Sequence, residues 1–259
     1  MITAQKINKI RQVIRFFETS KVTGANYGAI ATFNDGPVYK LNEIIGNTKV
    51  KPEMVGQKRK QVTYGASQTT EYGNLKTLLQ MYIEAKGKYA TDFITYIKYI
   101  GDLSRPSLAT STDFIALLKL ASKDVLMQET QDRFFNIYYF NPAHQWCERN
   151  GLTLPFSILV IYDSFVHSGS ILEFLRERFG ELVPAKGGDE KRWITAYVNS
   201  RDEWLENHSQ KILQSTDYRT DSFIYAIRND NWNLDQPFKV VNYAKKDESD
   251  NPKIEATIV

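Results

Sequence analysis

The chain has 259 residues, 42% hydrophobic and 24% charged, a profile that supports a soluble globular fold with a sizeable core. No run approaches the ~18 consecutive apolar residues of a membrane-spanning helix, so a helical span is excluded and no membrane partner is expected. Net charge is +3 with Lys and Arg scattered, and the one basic cluster, Lys49 to Lys60, reads as a solvated loop rather than a nucleic-acid patch. A single cysteine, Cys147, excludes an internal disulfide framework and a fixed cysteine metal site. His144, His167 and His208 lack metal-ligand spacing, so neither a metal nor a cofactor is expected. The opening Met1 to Lys6 has no apolar signal-peptide core.

Apolar residues at Ile7, Ile10, Val13, Ile14 and Phe17 predict an amphipathic helix over 5–20, with Glu18 at its end after two phenylalanines. Tyr27–Phe33 has strand character, Asn34-Asp35-Gly36-Pro37 reads as a turn, and Val38–Leu41 as a second strand segment. Residues 40–60 are polar and irregular, which suggests a long loop or insertion; Gln61–Gly65 returns to a strand. Beyond Gly73 the chain is mainly helical. Helices are expected around Leu75–Ile83, Phe93–Ile100, Thr112–Ala121 and Lys123–Tyr139. Leu152–Val166 is almost wholly apolar and predicts a central buried helix, and Asp189 is placed to cap a helix running through Trp193, Tyr197 and Trp204. A last helix is expected from Asp221 to Arg228, and Lys245 to Pro252 reads as a loosely held charged tail.

One helix, a small antiparallel sheet and then many helices is the element order of lysozyme-like folds. The expected class is therefore α+β, mainly α-helical and two-lobed, with the small sheet beside a cleft. A single catalytic domain over 1–259 would divide into a sheet lobe at about 21–73, a helical lobe at 1–20 and 74–244, and a charged tail at 245–259.

Two carboxyl groups facing a glycosidic bond suffice to hydrolyse it, one as acid and one as base or nucleophile. Glu18 at a helix end and Asp35 at a strand end, seventeen residues apart, fit that requirement, although each also fits a plain helix terminus or turn. Asp163 is the sharper anomaly. It stands in the most apolar stretch of the chain, where a bare carboxylate is costly and a bidentate arginine is its natural partner; Arg201 and Arg219 are the candidates. A buried ion pair that only fixes packing would account for the same pattern. There is no Walker motif and no Gly-x-Ser-x-Gly elbow.

Several separated segments, in order, resemble the family 46 chitosanases: Phe17-Glu18 with Tyr27-Gly28 and Asn34-Asp35-Gly36, Ile137–Ala143, Ile161–Gly169, and Gly187–Trp193 continuing to Arg201. Arg219, eighteen residues before Pro237 of Asn-Leu-Asp-Gln-Pro, is also in register. The resemblance implies an endo-acting, inverting hydrolase of β-1,4 linkages in chitosan or a related amino-sugar polymer. Glu18 would be its general acid and Asp35 its base, with Thr63 holding the attacking water. It implies a supporting chain from Glu18 to Arg219, Asp163 and Arg201, substrate contacts by Asn74 and His167, a polysaccharide partner, a monomer and an extracellular setting.

The departures are as informative. The family's Arg after Asp-Gly is missing, and the strand resembling its Tyr-Thr element appears only at Val62–Gly65, so the pairing of Asp35 with Thr63 depends on how the insertion folds back. Glu71 is the rival base. Gly73-Asn74 replaces the family's Gly-Asp, removing a carboxylate suited to a glucosamine ammonium. Hydrolysis of peptidoglycan or a neutral glucan, and a non-catalytic polysaccharide-binding role, remain the alternatives.

Overall fold

The structure is a computed structural model that describes residues 2–21, 24–66, 68–243 and 252–259. Helix α1 (Ala4–Thr19) leads to strands β1 (Ile30–Phe33), β2 (Ile44–Ile45), β3 (Thr48–Lys49), β4 (Gln61–Tyr64) and β5 (Thr69–Thr70). Helices α2 (Leu75–Glu84), α3 (Ala90–Ile97), α4 (Thr112–Ala121), α5 (Val125–Phe135) and α6 (Asn141–Asn150) follow. Then come α7 (Pro155–Ser168), α8 (Glu173–Arg176), α9 (Glu190–Glu206), α10 (Lys211–Gln214) and α11 (Tyr218–Arg228), and strands β6 (Phe238–Asn242) and β7 (Lys253–Ile258). Mostly helical with small antiparallel sheets, this is the fold class expected. No helix among the described residues is long and apolar enough to cross a membrane.

The chain forms two compact units, Ala25–Asn136 and Met1–Gly24 with Ile137–Val259. In the contiguous unit, β1 pairs antiparallel with β4 (Ile30↔Tyr64 through Phe33↔Gln61), and β4 pairs with β5. Two strands separated by a long insertion are therefore direct neighbours. The insertion is not the irregular loop expected over 40–60. It folds into its own hairpin, β2–β3, across a two-residue Gly46-Asn47 turn in which Gly46 takes φ +60°, a conformation glycine adopts without penalty. A single Val38↔Lys58 bridge stands where a strand was expected at Val38–Leu41. Buried Arg59 holds the insertion down: it ion-pairs with Glu43 and donates from Nη1 to the Leu103 carbonyl at 2.9 Å. The sheet's unit also runs past the lobe boundary expected at residue 73. Leu75, Leu78, Leu79 and Tyr82 of α2 build one core with Phe93, Phe114, Met127 and Phe134, and Tyr82 meets Phe93 edge-on at 5.8 Å.

In the discontinuous unit, α7 is the buried centre, with every residue from Phe156 to Ser164 inside. It packs against α1, α6 and α9. Asp189 caps α9 as its position predicts, its Oδ1 accepting from Arg192 N–H at 2.8 Å. Strand β6 packs on α11 and pairs antiparallel with β7 (Phe238↔Ile258 through Asn242↔Lys253). That pairing corrects the charged tail expected over 245–259: residues 253–258 form a strand that buries Ala256 and Ile258. The loosely held stretch expected at 245–251 lies outside the described residues.

Candidate active site

Glu18 sits in the last turn of α1, 12% exposed, beside buried Phe17. Ser20 ends the helix in left-handed backbone (φ +55°), its N–H donating to the Phe16 carbonyl at 2.7 Å. Arg219, in the first turn of α11, donates from Nη2 to Glu18 Oε1 at 2.5 Å and to the Phe17 carbonyl at 3.1 Å. Its Nη1 reaches Asp163 Oδ1 at 2.9 Å, and Arg201 of α9 donates from Nη1 to Asp163 Oδ2 at 2.6 Å. Asp163 is fully buried and shares its two oxygens between two arginines, which answers the anomaly its sequence position posed. The Arg219 guanidinium also lies 5.2 Å over the Phe17 ring, and the Tyr218 hydroxyl donates to the Phe17 carbonyl at 2.9 Å. The end of α1 is thereby clamped from side chain and main chain together.

Two cations and two anions alternate along this chain, so the buried charges offset one another. Burial alone would raise the Asp163 pKa, but Arg201 and Arg219 outweigh it and keep the carboxyl ionised. Burial likewise works against the Arg219 charge, and Asp163 with Glu18 reverses that, so its pKa lies above the ordinary arginine value. His167, four residues after Asp163 on α7, is pushed down to about 3 by burial and by the two arginines, against the opposing pull of Asp163. It is a neutral imidazole, and its Nδ1 has no hydrogen-bond partner.

The contiguous unit holds the other carboxylates. Asp35 lies exposed two residues beyond β1, and Gln61 Nε2 donates to its Oδ1 at 2.9 Å. The Gly36 N–H donates to the Arg59 carbonyl at 2.9 Å, which fastens the turn after Asp35 to the return strand. A Cβ at buried Gly36 would meet that carbonyl and the Tyr72 ring at 3.0 Å, so the close approach favours glycine here. Thr63 stands opposite Ala31 on β1 and Thr70 on β5, and shares a strand face with Gln61 two residues away. Glu71 is only 2% exposed and engaged: Ser107 Oγ donates to it at 2.6 Å, Leu108 N–H at 2.8 Å and Val62 N–H at 3.4 Å. Asn74 is exposed at the head of α2, its side chain making no capping bond.

The sequence model of glycosyl hydrolase family 46 matches residues 61–238, more than half of the chain. The chain belongs to family 46. That match takes in Thr63, Asp163, His167, Arg201 and Arg219 and leaves Glu18 and Asp35 outside it. A chitosanase of Bacillus subtilis (strain 168) is 23% identical over 171 residues, which span 55% of this chain and 58% of that protein. Among solved structures, a Gynuella sunshinyii family 46 chitosanase in complex with chitotetraose matches with a TM-score of 0.73 at 18% identity, covering 98% of each chain. Native chitosanase from Bacillus subtilis MY002 matches with a TM-score of 0.70 at 18% identity, over 93% of this chain and 95% of that one. These likenesses show the fold.

In this family 46 chain, one unit brings together Glu18, Arg219, Asp163 and Arg201, and the other brings Asp35 to Gln61 on the face of Thr63. Gln61 and Arg59 escaped the sequence reading. Gln61 had a signal, since it stands at i−2 from Thr63 on one strand and so shares its face. Arg59 had none, because its partners Glu43 and Leu103 are distant in the chain.

Proposed function

We propose that the chain is an endo-acting glycoside hydrolase that cleaves β-1,4 linkages of chitosan or a related amino-sugar polymer with inversion. The observation that carries this reading is the unbroken chain Glu18–Arg219–Asp163–Arg201. It supplies a fixed carboxyl at a helix end, and Asp163 shares the charge of the guanidinium that orients it. Asp35 removes a proton from water, and the resulting hydroxide oxygen bonds to the anomeric carbon. The glycosidic C–O bond breaks as Glu18 protonates the departing oxygen. Solvent then returns Asp35 and Glu18 to their starting forms. Thr63 assists in positioning the water, and Asn74 and His167 serve the substrate side. The bonds that occupy Glu71 favour Asp35 over it as base. By its family resemblance the enzyme would act outside the cell, as a monomer.

Glu18→Gln should abolish release of reducing ends from chitosan while the chain still folds, as read by circular dichroism, and continued cleavage by that variant would refute the assignment. Proton NMR of fresh product should show the α anomer first, since a β-linked substrate inverts. Exposed Asn74 favours a second reading in which peptidoglycan or a neutral glucan is the substrate. Parallel assays on chitosan, chitin and cell-wall sacculi separate the two.

A further inference from the structure

The insertion between β1 and β4, together with Tyr72 and the segment 105–110, lines a half-open cavity of about 350 Å³, within the span typical of small-ligand sites. Its walls include Tyr39, Val50, Met54 and Tyr72, so it is apolar and partly aromatic. Its charged groups are all cationic. Arg59 lies in the wall at 2% exposure, stacked 4.6 Å over the Tyr39 ring, and its buried Nε has no hydrogen-bond partner. Glu43 offsets Arg59, and Asp102 offsets Arg105 at 3.6 Å. Lys49, Lys51 and Lys60 also line the cavity, all three exposed, and none has an ion-pair partner among the described residues. The three lysines share the border of one half-open cavity whose wall is backed by the buried guanidinium of Arg59. An apolar floor with an uncompensated cationic rim selects an amphipathic anion.

We propose that this cavity binds a sugar acid, a pyranose ring bearing one carboxylate. The apolar face of the ring packs on the tyrosine and methionine walls, and the carboxylate meets the lysine rim, with the buried charge of Arg59 behind the wall. The sugar ring rests on the glycoside-hydrolase reading above; the requirement for an anion rests on the cations alone. The site bears on Asp35 through the main chain, because the Arg59 carbonyl accepts from Gly36 N–H and the Arg59 N–H donates to the Pro37 carbonyl at 3.1 Å. An occupant that fixes Arg59 also fixes the turn that presents Asp35.

The test is isothermal titration of the full chain carrying Glu18→Gln, so that binding is read without turnover and fails or succeeds separately from the catalytic assignment. N-acetylmuramic acid and glucuronic acid are titrated beside N-acetylglucosamine and inorganic phosphate. At least one acid should bind at one site, and the acid preferred shows whether a lactyl or a C6 carboxylate is read. Lys49→Gln/Lys51→Gln/Lys60→Gln should weaken that binding at least tenfold while melting with its parent. Should the triple variant be unstable, raising NaCl from about 20 to about 300 mM supplies the same readout on the parent, with severalfold weaker binding expected. The proposal is overturned if neither acid binds, if N-acetylglucosamine or phosphate binds as tightly as the acids, or if binding is indifferent to both the lysines and salt.

Discussion

At the scale of single residues, Asp163 decides more than any other. Two arginines converge on it in a site with no water-facing surface, and each would be a costly buried charge without it. Asp163→Asn keeps the shape and removes the charge. It should cost about 3–5 kcal/mol, the usual penalty for breaking a buried pair, read as a fall in the urea midpoint. A midpoint within error of the parent would mean that the two arginines find compensation elsewhere. His167 makes a different prediction, about pH. Its folded pKa is pushed down from 6.5 to about 3, so between those values the unfolded chain binds a proton that the folded chain refuses. Stability therefore falls as pH drops through that window. His167→Gln removes this contribution, and between pH 6.5 and 4 the variant's melting temperature should decline less steeply than the parent's. Parallel curves would contradict the half-buried neutral imidazole.

Elements were legible where a local pattern settled them. The apolar period of α4 gave its bounds, and Asp189 announced the start of α9 because an N-cap needs only a side-chain oxygen and the next N–H groups. Asp189→Ala should cost about 1 kcal/mol, measurable by urea unfolding, and no change would place the cap's contribution elsewhere. The insertion was illegible for the opposite reason. Its hairpin has strands of two residues, too short for a period, and is anchored by Arg59, whose partners Glu43 and Leu103 come from other segments. Glu71 shows the same limit within the candidate site. In the sequence it stood as the rival base should the insertion carry Asp35 away, and only the folded loop at Ser107 and Leu108 reveals that its oxygens are taken. Arg59→Met would leave part-exposed Glu43 without its cation and remove the tie to the Leu103 carbonyl, so we expect a loss of about 1–2 kcal/mol together with faster amide exchange over 36–60.

For the molecule as a whole, chain closure matters. The unit that holds Glu18 is discontinuous: Glu18 comes from the first segment, and Arg219 meets it from 201 residues later. Residues 253–258 strengthen that closure. As β7 they pair along β6, which packs on α11, and α11 carries Arg219. Ending the chain at Tyr243 would remove β7, expose the edge of β6, and forfeit the burial of Ala256 and Ile258, worth about 2–3 kcal/mol for the isoleucine alone. The truncated chain should melt several degrees lower. Because the loss falls on the strand behind α11, its activity on chitosan should drop further than the unfolded fraction explains, through looser placement of Arg219 against Glu18. Melting curves and reducing-end assays on the same preparation distinguish the two effects. Full activity per folded molecule would confine β7 to stability, and an unchanged melting temperature would remove it from the closure altogether.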